Sequence, residues 1–143
     1  MSNVYLRDGD MNNADLSNTN LSNANLRKAN LRDGDLSNTN LSNADLSNAD
    51  LSNADLSNAD LSNAIFLATD LRLTKNLTQQ QLLDQTQPFI CHSPLPKGFD
   101  IEGGMNRDCG RVAEALLKRY PNAFNTRTDA EAYVAERRQK VWD

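Results

Sequence analysis

The sequence predicts a solenoid, that is, a rod of stacked five-residue units, followed by a helical segment. A large apolar residue returns every five positions through residues 4–73, which makes fourteen consecutive units. A small residue, most often Ala, stands two positions before each of these unit centres. The centres are Met11, Phe66 and the leucines at 6, 16, 21, 26, 31, 36, 41, 46, 51, 56, 61 and 71.

A period of five fits neither a helix nor a flat strand. On an α-helix, five residues rotate the side chain by about 140° net, so the centres would share no face. On a flat strand, an odd step sends successive centres to opposite sides. A backbone that turns once per unit directs every centre to one axis and stacks like units on each other. The period therefore predicts a solenoid over residues 4–73.

The unit Ala-Asp-Leu-Ser-Asn, repeated at 44–48, 49–53, 54–58 and 59–63, resembles the signature of the pentapeptide-repeat family. The resemblance implies a right-handed quadrilateral β-helix with four units per coil, and thus about 3.5 coils. Four units per coil would align residues that lie 20 positions apart. The Asn-Arg-Asp-Cys stretch at 106–109 and the Tyr-Pro-Asn-Ala-Phe turn at 120–124 are similar to the tails of cyanobacterial members.

The residue before each centre is Asp or Asn in twelve of the fourteen units, the exceptions being Tyr5 and Ile65. Such residues stabilise turns by bonding their own backbone, which is one interpretation of the pattern. The other is an interaction face, because two of the four expected columns contain acids and no base. The acids of this candidate anionic face are Asp15, Asp35, Asp55 and Asp60.

Residues 74–143 are predicted to form a C-terminal helical cap and tail. Helices are expected at about 78–85, 109–120 and 129–140, with a Pro- and Gly-rich loop at about 93–104. Capping boxes are expected from Thr78 with Gln81 and from Thr128 with Glu131, and Asp108 is expected to be an N-cap. The segment 77–90 should cover the open end of the rod, and the last two helices should lie against that end.

Cys91 and Cys109 flank the predicted loop, and their pairing stays open at the level of sequence. A disulfide would stabilise the loop by about 3 kcal/mol, whereas a cytoplasmic protein usually keeps its thiols reduced. A metal role would need His92 as well, and a Cys-His pair with one further Cys matches no common zinc site. We expect no metal and no cofactor.

The sequence indicates a protein that is not an enzyme. His92 is the only histidine, and no nucleophile motif or phosphate-binding loop accompanies it. The carboxylates lie on a convex rod, where nothing excludes water. We expect a non-enzymatic protein-interaction or scaffold module with an unidentified protein partner, no direct nucleic-acid binding and no membrane binding. Without a signal peptide or an apolar span, the chain is expected in the cytoplasm.

Two alternative functions stay open. Some pentapeptide-repeat proteins imitate DNA and bind DNA gyrase, and the repeat is acidic, with ten Asp against five Lys or Arg in residues 4–73. The repeat therefore has five more negative than positive charges, whereas a DNA duplex of the same length would carry about twice that net negative charge. The second alternative is a self-associating structural protein, since the N-terminal coil has few residues to cover it. A homodimer would then form through that coil.

Overall fold

The computed structural model describes residues 4–83 and 86–142. Within the described residues, regular elements are few and begin at Ile65. Strand β1 is Ile65–Leu67, helix α1 is Gln79–Leu83 and strand β2 is Phe89–Cys91. A 3₁₀ turn at Gly104–Asn106 precedes helices α2, Cys109–Arg119, and α3, Arg127–Arg137. Strands β1 and β2 are parallel, with Ile65 opposite Phe89 and Leu67 opposite Cys91.

The repeat region consists of coils of 20 residues. Its sheet content is small, because consecutive coils are joined by single parallel β-bridges between residues 20 positions apart rather than by continuous strands. In one column, Tyr5 pairs with Asn25, Asn25 with Asp45 and Asp45 with Ile65. Each bridge consists of two backbone hydrogen bonds; the Asn25 amide, for example, donates to the Val4 carbonyl of the preceding coil, and the Asn25 carbonyl accepts from the Leu6 amide, both at 2.8 Å. Four five-residue units therefore complete one coil.

The unit centres fill the interior, as the period predicts. The leucines at 26, 31, 36, 41 and 46 are completely buried, and so are Phe66 and Leu71. The small residues two positions before the centres, such as Ala24, Ala44 and Ala54, are also without exposed surface. They leave room for the large side chains between successive corners, so one continuous core runs along the axis.

The corners depend on a residue in the left-handed conformation. The position two after each centre, with the exception of Leu71, has a φ near +60°, for instance in Asn43, Asn48 and Asn53. Asn adopts this conformation at little cost, because its short amide bonds locally. Asp8 and Asp33 occupy the same position with φ values of 60° and 57°. The recurrent Asn at the end of each unit is therefore explained by backbone geometry.

The segment after the repeat covers the C-terminal end of the rod. Leu77, Leu82 and Ile90 join the rod core together with Phe66 and Leu71. Coil stacking also continues past the repeat, because the Phe89 amide bonds to Ala64 and the Leu71 amide to Pro94. Helix α1 carries the predicted capping box, in which the Thr78 amide donates to Gln81 Oε1 at 2.8 Å and the Gln81 amide to Thr78 Oγ1 at 3.3 Å. Leu83, by contrast, is exposed.

Helices α2 and α3 lie along one side of the rod, so the predicted position against its end is wrong. They enclose a second apolar core with Ile65 and Leu67, which point outward from the rod. Buried Val112, Leu116 and Val134 supply the helical part of this core. Phe89, expected at the rod end, belongs to this second core. The cause lies in one unit, 64–68, whose two outward positions are both apolar, whereas most other units have Asp or Asn before the centre and Ser or another polar residue after it.

The starts of the two tail helices also differ from the prediction. Helix α3 begins at Arg127, and its capping box uses Thr126 and Asp129 instead of Thr128 and Glu131. Asp108 stands at the N-cap position of α2 but makes no side-chain capping bond there. Its carboxylate accepts from the Ile90 amide at 3.0 Å and from Arg107 Nε at 2.8 Å. A stronger, charged donor therefore replaces the helix N-terminus as its partner.

Candidate functional site

The candidate anionic face is built by coil stacking. Parallel bridges join Asp15 to Asp35 and Asp35 to Asp55, so these three acids lie in one column. Asp60 lies in the neighbouring column, where it pairs with Asn40. The structure thus brings the four predicted residues onto adjoining sides of the rod. Successive acids in a column are separated by about one strand spacing, close to 4.8 Å.

Each of these acids uses one carboxylate oxygen to hold its own turn. Asp15 Oδ1 accepts from the Ser17 amide at 3.0 Å and from Ser17 Oγ at 2.6 Å. Asp35 and Asp60 make the same pair of bonds with the Ser two positions later, and Asp55 Oδ1 accepts from the Ser57 amide at 2.9 Å. Asn serves equally well, since Asn40 Oδ1 accepts from the Ser42 amide at 3.0 Å and from its hydroxyl at 2.6 Å. The turn therefore needs the oxygen and not the charge.

The second carboxylate oxygen distinguishes the anionic face from the other columns. Within residues 4–83 and 86–142, Oδ2 of the four acids makes no hydrogen bond and no ion pair. In the other columns most acids engage this oxygen: Asp50 Oδ2 lies 3.3 Å from Arg32 Nη1, and Asp70 Oδ2 lies 2.7 Å from Arg72 Nη2. Asp10, whose bonds with Asn12 and Asn30 use Oδ1, is the exception among the described acids there. The anionic face therefore presents a row of acceptors that the rod itself does not use.

Local hydrogen bonds favour the ionised form of two of these acids, Asp15 and Asp55. The bonds from the side chain and the amide of Ser17 lower the pKa of the Asp15 carboxyl below its ordinary value. At Asp55, the Ser57 amide and the Asn76 side chain lower the pKa in the same way. A depressed carboxyl pKa stabilises the fold above the unfolded-state pKa, and that contribution is lost as the pH falls through the folded-state pKa. Asp15 and Asp55 are therefore negatively charged at neutral and mildly acidic pH.

The anionic face is shorter than its sequence pattern suggests. Lys75 pairs with Asp55 and continues that column, while Asn76 donates to Asp55 Oδ1 at 3.1 Å. The prediction of a column without any base therefore fails at its C-terminal end. The residue was missed because the five-residue period ends at Leu73, although stacking continues for two more positions.

A further acid of the repeat, Asp45, serves to attach the tail. It is completely buried under α2, where its Oδ2 accepts from the Tyr120 hydroxyl at 2.7 Å. The Arg27 guanidinium lies 4.5 Å from the Tyr120 ring centre and adds a cation–π contact. Burial, followed by the Asp45 charge, raises the pKa of the Tyr120 hydroxyl well above its ordinary value. In the sequence, the signals that this side of the rod is covered are the apolar residues Ile65 and Leu67.

The two cysteines meet at the junction of β2 and α2. Cys91 and Cys109 form a disulfide with a Cα–Cα distance of 4.6 Å. Arg107 reinforces the same junction, because its guanidinium donates to the Leu82 and Pro88 carbonyls at 2.6 and 2.7 Å. The rod end, the loop and the first tail helix are therefore connected covalently and by a charged network. The role of the disulfide in solution stays a prediction.

His92 contributes to packing of the chain end. Its Nε2 lies 2.5 Å from the Lys140 carbonyl, and its ring centre lies 5.6 Å from that of Trp142. Within the described residues, no helix has the length and apolar character that a bilayer crossing requires.

The five-residue repeat is typical of a known protein family. The family model for pentapeptide repeats, in eight copies, matches residues 1–38 and 39–75, which is 75 of the 143 residues. The chain belongs to the pentapeptide-repeat family. The resemblance seen in the Ala-Asp-Leu-Ser-Asn units is thereby confirmed. No curated protein sequence matches the chain.

Several solved structures share the repeat. Rfr23, a pentapeptide repeat protein from the cyanobacterium Cyanothece 51142, is 30% identical over 68% of this chain, with a TM-score of 0.52. HetL from the cyanobacterium Nostoc sp. strain PCC 7120, a protein involved in heterocyst differentiation regulation, is 31% identical over 66% of this chain, with a TM-score of 0.48. The matches span 60% of Rfr23 and 40% of HetL.

A plant protein shares the fold over a larger part of both chains. AT2G44920 from the Arabidopsis thaliana thylakoid lumen is 20% identical, and the match covers 82% of this chain and 88% of that one, with a TM-score of 0.55. At this identity the likeness concerns the fold alone. The pentapeptide-repeat neighbours imply a right-handed quadrilateral β-helix, in agreement with the four units per coil found here.

Proposed function

We propose that this chain is a non-enzymatic protein-interaction module, a right-handed quadrilateral β-helix whose anionic face binds a basic surface on a protein partner. The row of unused Oδ2 atoms on Asp15, Asp35, Asp55 and Asp60 is the observation on which the proposal rests. The rigid coil spacing fixes the distances between these charges before any partner arrives. A preorganised face loses little conformational entropy on binding.

The cost of the charges supports this assignment. Like charges about 4.8 Å apart repel by about 1 kcal/mol even in water, and like charges on facing positions destabilise a sheet. Asn40 performs the same turn role without that cost. Acids at 15, 35 and 55 are therefore unnecessary for the fold, and a basic partner supplies a physical reason for them.

The same environment argues against catalysis by these acids. A general acid at neutral pH needs a raised pKa, usually through burial. The pKa values of Asp15 and Asp55 are shifted in the opposite direction by hydrogen bonds. Their side chains also lie on a convex surface, where water is not excluded. These carboxylates are suited to long-range attraction and steering of a cationic partner.

Replacement of the four acids of the anionic face by Asn tests the proposal. Asn keeps the turn-forming oxygen and removes four negative charges, so we expect an unchanged fold and the loss of a specific basic partner. The measurement is a pull-down from native lysate at two salt concentrations, followed by binding assays with the purified partner. Since exposed ion pairs contribute about 0.2–1 kcal/mol each, the four changes should weaken binding by about fourfold or more.

A matched control removes the same charge elsewhere. Asp8, Asp10, Asp33 and Asp100 are exposed and lie outside the anionic face, so their replacement by Asn should leave the partner bound. Equal loss of the partner in both variants would show that net charge alone is responsible. Retention of every specific partner by the Asp15, Asp35, Asp55 and Asp60 variant would contradict the proposal.

Self-association is the second candidate function, and burial at the N-terminal coil favours it. Leu6, Met11 and Leu16 are only partly buried, whereas Leu26, Leu31 and Leu36 one coil later are completely buried. A second copy placed edge to edge would cover this apolar surface. We expect a dimer mass by light scattering at high protein concentration, reduced to the monomer by Met11→Lys. A monomer mass throughout for the parent chain would contradict this function.

The expected cytoplasmic location stays a prediction. Disulfides are more usual in oxidising compartments, and one structural neighbour comes from a thylakoid lumen.

A further inference from the structure

A groove of about 430 Å³ runs between helix α2 and a corner of the rod. Its two walls are different in kind. One is a stripe of α2 that includes Arg111, Lys118 and Arg119, and the other is a column of corner residues, Asn23, Asn43 and Asn63. The groove is separate from the anionic face, whose acids do not line it. Its helical wall is positively charged, whereas the rod as a whole is negatively charged.

The helical wall is cationic. Arg111, Lys118 and Arg119 stand there against a single acid, Glu114, whereas the entire chain has a net charge of −4. Glu114 neutralises little of this charge, because its Oε1 lies 3.9 Å from Lys118 Nζ and the Lys118 side chain is 79% exposed. Arg111 is also mostly exposed, and its contact with Asp108 is 3.7 Å long. Both side chains are therefore available to a ligand.

The rod wall offers neutral hydrogen-bonding groups. Asn43 and Asn63 lie one coil apart, and their backbone amides already donate to the following coil. Within the described residues, their exposed carboxamides make no hydrogen bond. Asn23 differs, because Arg119 donates to its carbonyl and to the Ala24 carbonyl, which closes that end of the groove. A carboxamide column of this kind can both donate to and accept from a peptide backbone.

The floor of the groove is apolar. Ile65 and Phe89 form it, together with Ala115 from the helix. The Arg111 guanidinium lies 5.1 Å from the Phe89 ring centre, so a charged and an aromatic group are presented side by side. A ligand with an apolar side chain and a neighbouring acidic group would pack the first against Phe89 and place the second beside Arg111.

We infer that the groove binds an extended, acidic peptide segment of a partner protein. Arg111 and Lys118 are seven residues apart on α2, which separates their backbones by about 10 Å. An extended peptide covers that distance in about three residues. Side chains on one face of an extended peptide lie an even number of positions apart, so the matching sequence has two acids four positions apart, within reach of the long Arg111 and Lys118 side chains, with an apolar residue midway between them on the floor. The Asn43 and Asn63 carboxamides bond its backbone.

A peptide fits this site better than a nucleic acid does. A nucleic acid carries a continuous line of phosphates. The groove has only three cations for them, and the acidic rod beside it repels the rest. A segment with two carboxylates places its charges beside Arg111 and Lys118 and keeps the rest of its length neutral. The inference is independent of the proposed function, because the anionic face attracts bases and the groove attracts acids.

The test uses the peptide Ala-Glu-Ala-Leu-Ala-Glu-Ala with a fluorescent label, in which both Glu and the Leu share one face of the extended chain, and measures its anisotropy with the whole chain. We expect saturable binding that weakens as salt is added. Arg111→Gln together with Lys118→Gln should weaken it by about tenfold, from two exposed ion pairs. A peptide with Gln for both Glu should weaken it similarly. Arg119 is left unchanged because it holds the Asn23 and Ala24 backbone.

A matched control, Lys97→Gln with Arg138→Gln, removes two positive charges outside the groove and should bind the peptide as the parent does. Both double variants should melt at the parent temperature, which keeps a binding loss distinct from unfolding. Absence of saturable binding up to millimolar concentration, or an equal loss in the control, would overturn the inference. So would tighter binding of a labelled oligothymidylate of equal length than of the peptide.

Discussion

Leu46→Asp is expected to unfold the repeat. Leu46 is completely buried at mid-rod, in the column of Leu26 and Phe66. A carboxylate there would lose the contribution of the leucine, about 2 kcal/mol, and would have no partner in the apolar core. The burial of an unpaired charge costs several kcal/mol more, which is comparable with the whole stability of a typical domain, about 5–15 kcal/mol. Loss of the cooperative melting transition, followed by circular dichroism, is the expected result.

The control for Leu46→Asp is Asn43→Asp. Position 43 is a corner with a φ of 60°, and Asp8 and Asp33 occupy equivalent corners of the same chain. The control therefore introduces an equal charge at a site that accepts it, and it should melt within a few degrees of the parent. A Leu46→Asp variant with parent-like melting would contradict the inward column of leucines.

Arg107→Met is expected to cause the second largest loss, at the junction of rod and tail. The Arg107 side chain is 11% exposed and ion-pairs with Asp108, which is 6% exposed. Removal of the guanidinium leaves the buried carboxylate with only the long, 3.7 Å ion-pair contact to the exposed Arg111 among the described residues, and it leaves two carbonyls, of Leu82 and Pro88, without their donor. Breaking such a pair costs about 3–5 kcal/mol. The melting temperature should fall by about 10–20 °C for a chain of this size.

Two comparisons make the Arg107 result specific. Arg138→Met removes the same charge from an exposed position of the tail and should shift the melting temperature by little. Arg107→Met combined with Asp108→Asn should recover part of the loss, because the orphaned charge is removed as well. A fall of less than about 3 °C for Arg107→Met would show that the junction does not depend on this ion pair.

The coil architecture could be predicted from sequence because a five-residue period leaves only one arrangement that buries every centre. Burial of Leu31 and Leu41 and the 20-residue register followed from that rule together with the family resemblance. The turn role of the Asp and Asn residues was also within reach, since their chemistry is local. The Thr78 and Gln81 capping box was found for the same reason.

The side-on position of the tail could not be predicted from helix patterns alone. Helix α2 has an apolar stripe that fits either the end or the side of the rod. The information was in the rod, where Ile65 and Leu67 stand at positions that are polar in other units, and only Ile65 was noticed. Asp108 was misjudged for a related reason: a local N-cap rule cannot foresee a neighbouring Arg107 that is brought to it by the loop.

Because the tail is attached to the later coils, coils can be added at the N-terminal end of the rod but not inserted among the later coils. Contacts from α2 and the segment before it engage Asn23, Asp45 and Ile65, so the last three coils are held in fixed register. Whole coils of 20 residues added before Val4 would change none of these contacts. A coil inserted between Asn25 and Ile65 would move the residues that contact the tail out of register by one strand spacing. The number of repeats is therefore free to vary on the N-terminal side and constrained on the other.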